Sequence, residues 1–146
     1  MASLDTEEQY QLYRKEALEI AAFLKDTCGF RSIFYAGTDL KTKSEFEAAD
    51  FSLSEDLEEL RRSKYFMMVY PERIVSSVLF EAGLAIALGK PSVYIVRDRK
   101  QLPFLMKQAE QASLPAGVRL YECETLENIK ALIKDAGERL WKYLGN

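Results

Sequence analysis

The chain contains no histidine. That excludes Ser-His-Asp and Cys-His catalysis and disfavours a zinc site, since each relies on an imidazole. The cysteines are only two, Cys28 and Cys123, far apart and without metal-ligand spacing. They read as reduced core thiols of a cytoplasmic protein, and no metal is expected. No apolar run reaches the roughly 18 residues of a membrane span, and no secretory signal opens the chain. Charge of one sign is scarce as well: 20 Lys and Arg against 23 Asp and Glu leave a net −3. Without a basic stripe interleaved with aromatics, direct nucleic-acid binding is not expected. There is no GxGxxG. The stretch from Gly83 to Lys90 has the outline of a phosphate loop but is one residue too long. Pro91 also stands where a Ser or Thr would meet magnesium, and the stretch falls inside and at the end of a helix. Any chemistry must run on carboxylates, tyrosines, hydroxyls or lysines.

What is present reads as one domain. A chain of 146 residues, 48% of them hydrophobic, can bury a core without disulfides or metal. Residues 6–27 show apolar spacing at three and four with acids early and Lys25 late, an amphipathic helix stopped by Gly29. Ser32–Ala36 reads as a buried strand running into Gly37-Thr38-Asp39. Residues 38–53 read as a long loop with one helical turn around Phe46. Loops of that length inside a domain are commonly functional. A helix starts at Ser54, acidic first and basic at Arg61-Arg62, and is followed by a strand from Tyr65 to Tyr70, halted by Pro71. Further on come a strand at Ser92–Val96, a helix from about Leu102 to Gln111, a strand at Val118–Tyr121 and a last helix over 125–143. Helices alternating with near-continuous apolar strands predict a three-layer, doubly wound α/β fold around a parallel sheet of four to five strands. In such folds ligands sit at the carboxyl ends of the strands.

Between the second and third of these strands lies the most informative stretch, SSVLFEAGLAIALGKP. Ser76 or Ser77 is a good helix N-cap, and Gly89 with Lys90 and Pro91 a good stop. The helix between them is apolar all round, which predicts burial on every side, and Glu81 is its only charge. A carboxylate there costs several kcal/mol, on the order of 3–5, unless it is paired, protonated or facing a cleft. One explanation is local: an acid in the first turn meets the positive end of the helix dipole. A capping box is not available, because Val78 occupies the position three residues earlier. The other explanation is a catalytic carboxylate whose pKa is set by partial burial.

Tyr35-Ala36-Gly37, the acidic helix SEDLEELRRS, and Glu81-Ala82-Gly83-Leu84-Ala85 running to Gly89-Lys90-Pro91 together resemble the nucleoside 2-deoxyribosyltransferase-like superfamily. That group shares a flavodoxin-like architecture and a catalytic glutamate with Toll/interleukin-1 receptor (TIR) and TIR-like NAD-cleaving domains. The resemblance covers about residues 31–125, the core of a single domain 1–146 flanked by the N-terminal helix 6–27 and the C-terminal helix 125–143. It implies cleavage of an N-glycosidic bond at a ribose, with Glu81 at the anomeric carbon. It also implies that Tyr35, Ala36, Gly37, Thr38 and Asp39 form the substrate loop and that Asp56 polarises the leaving base. Ser76 and Ser77 fall where relatives place a hydroxyl or a phosphate-binding turn. Capping explains the two serines equally well, and a helix N-terminal acid explains Asp56.

Three functions compete on these grounds. The first is a TIR-like N-glycosidase that takes NAD as substrate and not as cofactor, cleaves its nicotinamide–ribose bond and acts in immune defence. The resemblance implies that such a domain works as a homo-oligomer or filament, with a sensor domain or subunit. The second is a deoxyribosyltransferase or nucleoside monophosphate N-glycosidase of nucleotide metabolism. The third is a non-catalytic nucleotide-binding or adaptor domain, in which Glu81→Gln leaves function intact. Other features carry less. Tyr10 and Tyr13 read as a packing stripe. Trp141 and Tyr143 read as core, or as residues reaching a neighbour's cleft. Arg97 through Lys100 read as a solvated turn, or as a phosphate contact on the ligand edge.

Overall fold

A computed structural model describes residues 6–47, 52–72 and 77–142. Its sheet has the parallel strands β1 (Phe66–Tyr70), β2 (Ser92–Val96) and β3 (Val118–Glu122), in the order β1-β2-β3, with Phe66, Ser92 and Val118 in register. β2 lies in the middle, and every one of its residues is buried. A strand paired on both edges and covered on both faces needs a continuous apolar run, which Val93-Tyr94-Ile95-Val96 supplies.

Side chains alternate across a strand, and β2 divides the core accordingly. Val93 and Ile95 face α1 (Glu7–Cys28) and α6 (Leu126–Ala136), meeting Ile20, Leu24, Ile129 and Ile133, with Leu140 and Trp141 closing that layer. Tyr94 and Val96 face the opposite way, with Met68, Tyr70 and Leu120. They meet Ala82 of α4 (Ser77–Ala87) and Leu102 and Ala109, which flank the short α5 (Phe104–Lys107). α3 (Ser52–Arg62) lies beside α4, and the short α2 (Lys43–Glu47) lies against α1. The result is a mixed α/β fold with helices on both faces of a parallel sheet.

The helix signals are realised where the side chains can reach. Thr6 accepts a hydrogen bond from the Gln9 amide, and Gly29 closes α1 with a φ of 70°. Thr125 and Asn128 form a reciprocal capping box at the start of α6. Trp141 belongs to the core. It is buried, stacks on Tyr65 at 5.1 Å between ring centroids and donates its indole N–H to the Phe66 carbonyl at 3.0 Å. Tyr143 and Ser76 lie outside the described residues. Cys28 and Cys123 are free thiols. No helix among the described residues is long and apolar enough to cross a membrane.

Several expectations need correction. The sheet has three strands among the described residues, not four to five. The expected first strand, Ser32–Ala36, is extended at Tyr35 (φ −139°, ψ 118°) but lies outside the sheet. Its Ile33 packs on the α1–α6 side of the core while Phe34 is 42% exposed. An alternating pattern reports side-chain burial and not ladder pairing, so a docked extended segment reads as a strand. The last helix ends at Ala136 instead of 143 and continues as a 3-10 turn over Gly137–Leu140. The helix expected from Leu102 to Gln111 contracts to α5, whose Phe104 and Leu105 are exposed and so gain no burial to extend it. Finally, α4 is not buried all round: Ala82 and Ala85 face the sheet, while Phe80, Gly83 and Ala87 face outward.

Candidate active site

Strand polarity decides where the chemistry can sit. α4 leaves the carboxyl end of β1, so its first turn stands at that edge. α3 runs toward the start of β1, and its 11 residues span about 16 Å, close to the length of a five-residue strand. It therefore begins at the same carboxyl edge. The first turns of the two neighbouring helices bring Asp56 and Glu81 together, although 25 residues separate them in sequence (81 less 56).

The two carboxyl groups share a hydrogen bond. Both are half-buried. Burial is the main cause that pushes Glu81 up to about 8; the Asp56 charge and the hydrogen bond to Asp56 add to it. Asp56 is also raised by burial, while its hydrogen bond with Glu81 pulls the other way. Two carboxylates in contact cannot both be ionised without a large repulsion, so the pair keeps one proton at neutral pH. The buried-charge problem posed by Glu81 is thus solved by sharing a proton with a second acid. Dipole stabilisation alone would have lowered the Glu81 pKa.

The substrate loop expected at Tyr35–Asp39 forms a 3-10 turn over Ala36–Thr38. Its Tyr35 faces α1: burial pushes the phenol up to about 12, the proximity of Tyr10 adds to this, and the Arg14 charge opposes it. The Tyr35 ring folds over Gly37, where a Cβ would lie 2.5 Å from the ring carbons. Glycine is required there by the tyrosine's own ring. Thr38 and Asp39 are exposed. Ser77 is the exposed first residue of α4. The Lys of the G-K-P stretch has a structural task, since Lys90 donates from Nζ to the carbonyls of Arg61 (2.9 Å) and Ser63 (2.7 Å) and so finishes α3.

Sequence reasoning missed the polar face of α1. Arg14 donates to the carbonyls of Gly37 (2.7 Å) and Thr38 (3.1 Å), and Gln11 to that of Lys41 (2.6 Å). Tyr10 donates to the Leu40 carbonyl, and Tyr13 to the Glu72 carboxylate just beyond β1. Both tyrosines had the spacing of a packing stripe, and their hydroxyls are what the spacing could not show. In the charged turn after β2, Arg99 is held by Glu110 (2.6 Å) and Glu122 (3.0 Å), while Arg97 is exposed at the ligand edge.

No family model matches the sequence, and no curated protein matches it. Among solved structures the fold is similar to that of the CMP N-glycosidase BcmB from Clostridium botulinum. The TM-score is 0.64, over 85% of this chain and 90% of that one, at 14% sequence identity. At that identity the likeness is one of fold.

Proposed function

We propose that this chain is an N-glycosidase that hydrolyses the bond between a nucleotide's ribose and a neutral base. The observation that carries the reading is the Glu81–Asp56 pair with its single proton, set at the carboxyl edge of a parallel α/β sheet. Glycosidic cleavage asks for two things at once: a carboxylate beside the sugar cation and an acid for the leaving group. One protonated and one ionised carboxyl group, in contact and half-buried, supply both. The fold likeness to an enzyme that acts on CMP agrees with this reading, because cytosine is a base that departs more readily when protonated.

In the proposed step Asp56 passes a proton to the base as the C1′–N bond breaks, and the bonding electron pair leaves with the base. The proton that Glu81 holds moves along the hydrogen bond to Asp56, leaving Glu81 ionised against the oxocarbenium-like ribose. Water then adds to C1′ and returns one proton to the pair, so that base and ribose phosphate are the products. Stabilisation of the sugar cation is strong because the pair is shielded from water.

NAD is the second reading, supported by the E-x-G-x-A-x-x-x-G-K-P stretch shared with the TIR-like group. Nicotinamide departs from a pyridinium and needs no acid, so NAD cleavage uses Glu81 alone and makes no use of the proton on the pair. Assembly into an oligomer or filament belongs to that reading. Chromatography of nucleoside monophosphates, nucleosides and NAD, incubated with wild type, Glu81→Gln and Asp56→Asn, tests both. Base released from a monophosphate, and lost in both variants, supports the proposal. Nicotinamide release that survives Asp56→Asn supports the second reading, and no release from any of them contradicts both.

A further inference from the structure

We propose that Arg14, with Tyr10 beside it, is a positioning residue that sets the substrate loop 37–41 for nucleotide binding; this rests on the functional reading above. The first turns of α1 bond to that loop from one helix face. Glu7, Tyr10, Gln11 and Arg14 follow the spacing of adjacent helical turns, which puts them in a row. Arg14 takes the carbonyls of Gly37 and Thr38, Tyr10 that of Leu40, and Gln11 that of Lys41. Glu7 accepts the Lys43 amide at 2.9 Å, and its own carboxyl is held low by the hydrogen bond from Gln11 first and by that amide second. One helix thus fixes backbone groups along the loop from residue 37 to residue 43. The same helix is tied to the far side of the sheet edge, through Tyr13 and Glu72 just after β1.

This arrangement does more than pin a loop to the surface. In a trans peptide the carbonyl and the following N–H point in opposite directions. Holding the Thr38 carbonyl on Arg14 therefore turns the Asp39 N–H away from α1. α1 packs on the face of the sheet opposite α4, and the side away from it is the side of the carboxyl pair. Arg14 suits the task because its planar guanidinium meets two successive carbonyls at once, and a lysine ammonium lacks that fork. Neither Arg14 nor Tyr10 approaches the carboxyl pair, so their effect runs through the loop's geometry and not through the bond-breaking step.

The experiment is steady-state kinetics on the released base, combined with amide hydrogen exchange of the free protein. It uses wild type, Arg14→Gln, Arg14→Lys, Tyr10→Phe and, as a control, Lys15→Gln, an exposed residue of α1. The expected result is a KM at least tenfold higher in Arg14→Gln, a smaller rise in Arg14→Lys and Tyr10→Phe, and wild-type values in Lys15→Gln. The expected kcat stays within about threefold of wild type in all of them. Exchange should quicken at residues 37–43 and stay unchanged in β1, β2 and β3. An unchanged KM in Arg14→Gln overturns the inference. So does a fall in kcat with exchange quickened throughout the sheet, which marks a merely structural role. If wild type releases no base from any nucleotide, the functional reading fails first and takes the assignment of Arg14 to substrate binding with it. The wild-type control keeps that failure distinct from the failure of Arg14 alone.

Discussion

Glu81 and Asp56 are expected to titrate as one unit. Labelled carboxyl carbons followed by NMR should show Glu81 changing near pH 8 in wild type. In Asp56→Asn its midpoint should move down, because the neighbouring charge is gone, and stay above the ordinary value, because burial persists. Removing either group should cost about 10²–10⁴ in kcat, the usual worth of a positioned acid or base. The sequence exposed these two residues unequally. Glu81 stood out as the lone charge in an apolar helix, an anomaly that elementary energetics detects. Asp56 sat among Glu55, Glu58 and Glu59 on an acidic helix, where nothing but a family likeness set it apart. Arg14 was not visible at all, since a polar residue on an amphipathic helix looks like a solvated face until its partner, 23 residues away, is placed beside it.

At the scale of elements, periodicity and capping located every strand of the sheet and the long helices to within a few residues. β1, β2 and β3 are apolar runs bounded by strong punctuation, Pro71 after the first and Pro91 before the second. What periodicity left open was pairing and face. Ser32–Ala36 has a strand's composition yet stays outside the sheet, and α4 has an apolar outer face that no hydropathy pattern can distinguish from an inner one. Two predictions belong here. Trp141→Ala removes a buried ring stacked on Tyr65 and leaves the Phe66 carbonyl without its donor. It should lower the unfolding free energy by about 3–5 kcal/mol, read from urea melts. Thr125→Ala breaks the capping box of α6 and should cost about 1 kcal/mol by the same measurement.

For the molecule as a whole, the carboxyl pair ties stability to pH. Glu81 is raised from 4.5 to about 8 on folding, so the folded state binds a proton more tightly than the unfolded chain does. Its contribution is therefore complete below pH 4.5 and is lost as pH rises through about 8. Wild type should melt at a progressively lower temperature across that interval, relative to Glu81→Gln, which carries no proton to lose. Above pH 8 the variant should be the more stable of the two, since it removes one of two adjoining negative charges. Differential scanning calorimetry at several pH values reads the crossing. A wild-type Tm that runs parallel to the variant's across the interval would contradict the shared proton. The same global arrangement, with α1 and α6 on one face and α4 with the α5 segment on the other, places every candidate group on one edge of the sheet. The alternation of strands and helices made that edge predictable before any coordinate.

The most direct test of the account is the pH dependence of base release from a nucleoside monophosphate by wild type and Glu81→Gln. Activity in wild type that falls as pH rises through about 8, with none in the variant, is the predicted result. Release that persists in Glu81→Gln, or a rate that stays level past that pH, would contradict it.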